Sequence, residues 1–160
     1  MRRKDREVTD IHEIQKILDG CKTCHLAMVD NGQAYVIPLS YAYLLKDSTL
    51  TLFFHSAKEG RKIGILHENN AVCFDICEEG ELFYSDKNPC SSGSFFSSVH
   101  GFGHVQFIDD VNEKCLALKL LMKHQAKIEV DFTAVQADSV CVFKVISNDF
   151  TGKIKSRPVG

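Results

Sequence analysis

The sequence predicts a mainly β fold: a small antiparallel barrel with flanking helices. Three observations predict it. Apolar runs of strand length are separated by two good hairpin turns, Asn31-Gly32 and Lys46-Asp47-Ser48. Only three helical stretches interrupt some six strands, too few for a parallel sheet with crossover helices. Gly101 and Gly103 lie inside a strand-like run, where a barrel would turn a corner. With 160 residues, no internal repeat and no linker, the chain suits a single domain, 1–160, with a sizeable core.

The elements follow in order. Thr9 to Gly20 reads as an amphipathic helix, with Ile11, Ile14, Ile17 and Leu18 on one face, Asp10 and Glu13 as a cap, and Gly20 as its stop. Strands are predicted over Cys24 to Asp30, Ala34 to Leu45 and Thr49 to His55, forming a meander. In the second, large residues (Tyr35, Ile37, Leu39, Tyr41, Tyr43) alternate with mostly smaller ones (Val36, Pro38, Ser40, Ala42). Pro38 cannot donate to a ladder and marks a bulge or an edge. Its small-residue face suits either a flat ligand or close packing against a helix. A helix from the Ser56 region to about Asn69 and a strand from Ala71 to Cys77 come next. Glu78 to Gly93 lacks periodicity and reads as a long mobile connection, a possible lid carrying Phe83 and Tyr84. Ser94 to Ile108 is a strand, Val111 to about Lys127 a leucine-rich helix capped by Asp110 and Glu113, Ser139 to Ile146 the last strand, and Asp149 to Gly160 a polar tail.

Composition excludes several functions. Charged residues make up 25% of the chain and the net charge is −2, so bulk electrostatics do not point to nucleic acid. No apolar run approaches the roughly 20 residues of a membrane span, and the basic start lacks the apolar core of a signal peptide. A cytoplasmic protein is the simplest expectation. Its seven cysteines are then reduced, most of them as small core hydrophobes.

The stretch that organises the chain is Leu52 to Leu66. An apolar strand stops at His55, and Ser56 with Glu59 resembles a capping box opening the next helix. Such a helix start points unpaired N–H groups outward, where an anion can bind. Lys58, Arg61 and Lys62 crowd that end, although each exposed cation there costs roughly 0.3–1 kcal/mol against the helix dipole. Either an anion compensates them, or they form a solvated basic face. Gly60 would let a ligand approach the backbone. His55, at the strand end, either tethers the loop or relays a proton to a substrate.

Other motifs carry less. Cys21-Lys22-Thr23-Cys24-His25 has the form of a haem-attachment or zinc motif, but no export signal accompanies it. Cys73 and Cys77, four apart on one strand, stand roughly 13 Å apart and cannot chelate as a pair, and His100 and His104 fail likewise. No metal site is predicted. The sequence has no nucleophile elbow, P-loop, dinucleotide fingerprint or zinc-protease motif, which leaves the chemistry to a bound cofactor.

The string Phe54 to Ile63 resembles the FMN-binding split β-barrel family related to pyridoxamine 5′-phosphate oxidase, and within it the branch of 5-nitroimidazole resistance (Nim) proteins. Met1 to Glu7, Tyr35 to Tyr41, Phe96 to Gly103, Glu113 to Lys123 and Phe150 to Lys153 match in the same order along the chain. The resemblance implies an antiparallel split β-barrel of FMN-binding type, working as a homodimer with FMN in a groove between subunits. It implies that Arg61 and Lys62, with Lys58 beside them, hold the FMN phosphate. His55 and Ser56 would then run along the flavin, and Pro38, Leu39, Ser40 and Tyr41 would line it. Ser98 falls at a flavin-contacting polar position, and His55 near the substrate makes it the catalytic candidate. The chain contains no Trp, so the C-terminal tryptophan of true pyridoxamine phosphate oxidases is missing and vitamin B6 oxidation is not implied. The expected function is an FMN-dependent oxidoreductase reducing small aromatic or nitro compounds, with NADH or NADPH as electron donor. The alternative is a flavin- or haem-binding module without turnover of its own, and the plainest is an empty barrel that only dimerises.

Overall fold

Both tight turns form, and they set the register of the first long strands. In the computed structural model, which describes residues 3–156, Asn31 and Gly32 both have positive φ (49° and 83°), as do Asp47 and Ser48 (49° and 64°). Two consecutive left-handed residues match the strand twist of a two-residue hairpin. The elements are β1 (Glu7–Val8), α1 (Ile11–Gly20), β2 (Thr23–Asp30), β3 (Gln33–Ser40), β4 (Ala42–Lys46), β5 (Thr49–Ser56), α2 (Arg61–Glu68), β6 (Ala71–Phe83), β7 (Gly93–Phe107), α3 (Val111–Ala126), α4 (Ala134–Asp138) and β8 (Cys141–Lys155). They form one antiparallel sheet in the order β3-β2-β6-β7-β8-β5-β4, with β1 added on β8.

The sheet has eight strands rather than six, and it curls without closing. The predicted strand Ala34 to Leu45 is broken at Tyr41. Its first half pairs with β2 and its second with β5, so one bent segment reaches both ends of the sheet. Tyr41 causes the break: its ring is wholly buried, its hydroxyl donates to the Leu18 carbonyl (2.8 Å), and its own carbonyl accepts from Gln125 (2.7 Å). Pro38 lies on the edge strand β3, one side of which has no ladder partner, the setting in which a strand tolerates proline.

Inside the curl, Leu26, Leu52, Phe54, Phe74, Ile76, Val99 and Phe143 form the main core, with Phe54 and Phe143 stacked at 5.3 Å. Each such side chain contributes about 1.5–3 kcal/mol by leaving water. Helix α1 closes one end with Ile14, Ile17 and Leu18, and Asp10 caps it by accepting from the His12 and Glu13 amides (2.9 and 3.0 Å). Helix α3, capped by Asp110 on the Glu113 amide (2.8 Å), covers the outside of β4, β5 and β8 together with α4. A second core forms there from Phe53, Leu118, Leu121, Ala137 and Val142. No described helix is long and apolar enough to cross a membrane.

Three expectations are corrected. Residues 78–83 are not loop: β6 runs on to Phe83 against β7 from Gly93, past a register shift between Glu79 and Leu82. Only residues 84–92 connect the two strands, with a 3-10 turn at Pro89–Ser91 capped by Asn88. The polar tail is largely strand as well, because β8 extends to Lys155 and pairs with β7 and β1. Residues 157–160 of that tail, and Met1 and Arg2 of the matched N-terminal string, lie outside the described residues. Helix α4, with a Thr133–Gln136 capping box, was not expected. The corner at Gly101 and Gly103 is present. A Cβ on Gly101 would stand 2.5 Å from the Phe74 ring, and the β7–β8 register shifts just beyond it.

Candidate functional site

Ser56 is not the cap of α2. It is still part of β5, and its hydroxyl donates to the Ala57 carbonyl (2.8 Å). The helix starts four residues later, behind Gly60, whose φ of 133° only glycine adopts readily. The Gly60 carbonyl accepts the Ile63 and Gly64 amides. Among the described residues no side chain caps the helix and no acidic residue stands in its first turn, so the Arg61 and Lys62 amides open it without a capping carboxylate.

The three cations at this end diverge. Arg61 turns toward the β2–β3 hairpin: its guanidinium pairs with Asp30 (2.9 Å) and lies over the Tyr35 ring at 4.5 Å. Lys58 turns the other way, 3.9 Å from Asp138. Lys62 is half-buried and has no ion-pair partner among the described residues. Asp30 and Tyr35 were not expected here. They were legible in retrospect, because the Asn31-Gly32 turn places both beside one another at the hairpin end.

His55 is exposed on the outer face of β5 and borders a cavity of about 290 Å³ against the covering helices. Leu118, Leu121 and Met122 of α3, with Phe132 and Val140, make it largely apolar, and Gln136 and Ser139 add polar groups. Ser40 belongs to the same neighbourhood. Ala42 pairs with Phe53, so carrying that register two residues on brings Ser40 toward His55, where β3 and β5 approach before β3 leaves for β2. At this seam β3 touches β5, and β5 leads on through His55 and Ser56 to the start of α2.

The other expected residues are placed less uniformly. Pro38 is exposed on the same outward face as Ser40, free of any covering helix. Leu39 and Tyr41 alternate inward into the core, so Tyr41 can meet a ligand only through its backbone. Ser98 sits on β7 opposite Cys77, three strands from β3 and therefore roughly 14 Å away across the sheet. One chain does not bring Ser98 to the seam.

The Cys21–His25 motif is split between the end of α1, where Cys21 lies, and β2, which starts at Thr23. Cys21 and Cys24 are buried while His25 points out. Burial pushes the Cys21 thiol up to about 11 and the Cys24 thiol higher still, which leaves both unreactive. His124 of α3 is buried with its Nε2 3.0 Å from the Cys21 carbonyl, and that burial lowers its pKa.

Comparisons with known proteins agree with this architecture. No curated protein matches the chain. The pyridoxamine 5′-phosphate oxidase family matches residues 10–153. Among solved structures, a candidate 5-nitroimidazole antibiotic resistance protein from Bacteroides thetaiotaomicron is 32% identical, over 92% of this chain and 86% of its own, with a TM-score of 0.79. An FAD-binding protein from Mesorhizobium loti is 25% identical, over 94% and 98%, at a TM-score of 0.66. A flavocytochrome from Azotobacter vinelandii shares the fold (TM-score 0.80) at 18% identity, over 99% of this chain and 73% of its own. The fold is thus that of the split-barrel flavin-binding proteins, and the chain belongs to the pyridoxamine 5′-phosphate oxidase family.

Proposed function

We propose that this protein is an FMN-dependent oxidoreductase acting on small aromatic compounds, nitro compounds among them, as a cytoplasmic homodimer with the flavin between subunits. The observation that carries this reading is the seam. A helix start that carries no side-chain cap and a Lys62 that is unpaired among the described residues follow an exposed histidine at the mouth of an apolar cavity.

These residues fit a flavin mononucleotide. Its phosphate suits the Arg61 and Lys62 amides, the Lys62 ammonium and the guanidinium N–H groups that Asp30 leaves free. Asp30 and Tyr35 hold Arg61 in place beforehand, which lowers the ordering cost of binding. Pro38 and Ser40 present a flat, small-residue surface for an isoalloxazine ring, and Ser98 of a second copy supplies a polar group that its own chain holds too far away. Bound flavin would supply the electron transfer. The chain would bind the acceptor in the apolar cavity, exclude water there, and hold a proton at the His55 imidazole next to the acceptor. The likeness to a candidate nitroimidazole resistance protein at 32% identity favours an aromatic nitro acceptor; NADH or NADPH is the donor this reading takes.

The test is reconstitution with FMN, followed by reduction of a nitroimidazole and of a quinone with either nicotinamide. Lys62→Ala should weaken FMN binding by about 10–100-fold, the worth of a lost charge-assisted hydrogen bond. His55→Ala should keep the flavin but slow acceptor reduction. Unchanged FMN affinity in Lys62→Ala together with Arg61→Ala refutes the phosphate assignment. A sharp Soret band in place of the flavin bands would show a haem module instead.

A further inference from the structure

We propose that His25, Asp75 and Cys77 form a binding site for a zinc-class divalent cation on the outward face of the sheet. The three come from two neighbouring strands. His25 on β2 stands opposite Asp75 on β6, and Cys77 lies two residues further along β6 on the same face. Their ligand atoms, one imidazole nitrogen, one carboxylate oxygen and one sulfur, all lie within 4.8 Å of one another. No other group of three such residues among the described residues meets that limit.

A shared ion needs the donors only slightly closer. Around a tetrahedral zinc with bonds of about 2.0–2.3 Å, donor atoms stand roughly 3.3–3.8 Å apart. Side chains on an uncovered face reach that spacing by small rotations, with the backbone already aligned by the β2–β6 ladder. No hydrogen bond or ion pair occupies the His25 ring among the described residues. The donor chemistry is selective. A thiolate and an imidazole favour zinc over calcium or magnesium, and carboxylate plus thiolate supply the two negative charges that a dication neutralises. Three protein ligands leave the fourth position to water. His100, on the far side of Asp75, stands 3.9 Å from its carboxylate, with Cys73 beside it at 3.7 Å. Pairs counted along one strand cannot reveal this arrangement, because the ligands meet across strands.

The experiment is zinc titration of the purified protein, flavin-loaded and flavin-free, with bound metal counted and its ligands read by zinc-edge X-ray absorption. The expected result is one zinc per chain, with one sulfur at about 2.3 Å and nitrogen or oxygen at about 2.0 Å. Cys77→Ser should remove the sulfur signal and weaken binding at least tenfold. His25→Gln should weaken it as much and keep the sulfur. Cys90→Ser, an exposed thiol elsewhere, should change nothing. Less than one zinc per chain in both forms, or a sulfur signal that survives Cys77→Ser, overturns the site. Melting temperature confirms that each variant is folded. Flavin content, read in the same samples, reports on the cofactor reading alone.

Discussion

The sheet has two outer faces, and the chain treats them differently. Around β5 the outside is closed by α3 and α4, so Phe53 is buried outward and Phe54 inward on successive positions. On β7 burial alternates strictly from Val99 to Gln106: Val99 and Val105 are inside, His100 and Phe102 outside. That second face, spanning β3, β2, β6 and β7, has none of the described helices over it. It exposes Val36 (60%) and Phe102 (55%) beside Pro38, His25 and Asp75. The difference teaches where each job lies. The covered face makes stability and the apolar cavity at His55, while the open face leaves its side chains in solvent, where the proposed cation site lies.

The sharpest way to break this comparison is to truncate one ring on each side. Phe54→Ala should cost about 3–5 kcal/mol in denaturant unfolding, because it empties the interior. Phe102→Ala should stay within about 0.5 kcal/mol at low protein concentration and instead weaken self-association. Equal losses would mean that the open face is part of one chain's core. Next in size is Gly101→Ala. The added methyl would stand 2.5 Å from the Phe74 ring and 2.7 Å from the Asp149 carbonyl, so about 1–3 kcal/mol should be lost. Gly80→Ala, where the nearest atom is 3.3 Å away, should lose less in the same melt. The smallest effect is a pH slope on the covered side. Burial holds His124 neutral in the fold, with a pKa below its ordinary 6.5. The unfolded chain therefore takes up a proton that the folded one refuses, and stability is full above pH 6.5 and falls as pH drops below it. Denaturant unfolding from pH 8 to 5.5 should show that fall, and His124→Gln should flatten it. An equal slope in the variant would place the effect elsewhere.

Much of the fold was legible because its signals are local. The Asn31-Gly32 and Asp47-Ser48 turns require left-handed residues, and Asp10 and Asp110 sit where helix amides need an acceptor. At the site, the strand stop at His55 and the cationic helix start were equally plain. What failed depended on partners distant in sequence. Residues 149–155 have no apolar pattern, yet they form strand because β7 and β1 offer them ladder bonds. Ser56 resembles a cap in isolation, but pairing with Cys141 keeps it in β5 and moves the helix start to Gly60. The Asp30–Arg61 pair and the His25–Asp75–Cys77 cluster both required knowing which strands are neighbours.

By itself, the amino-acid sequence determined the turns, the helix caps, the alternation that sorts side chains into inside and outside, and the cationic start of α2. Each of these is set by backbone preference or hydrophobic period within a few residues. Only the tertiary structure decided that Tyr41 breaks the long strand, that β3 parts from β5 to leave a seam, and which face stays uncovered. The reason is that a strand's ladder bonds and burial come from other strands. Its neighbours, and not its own residues, settle where it ends and what it faces.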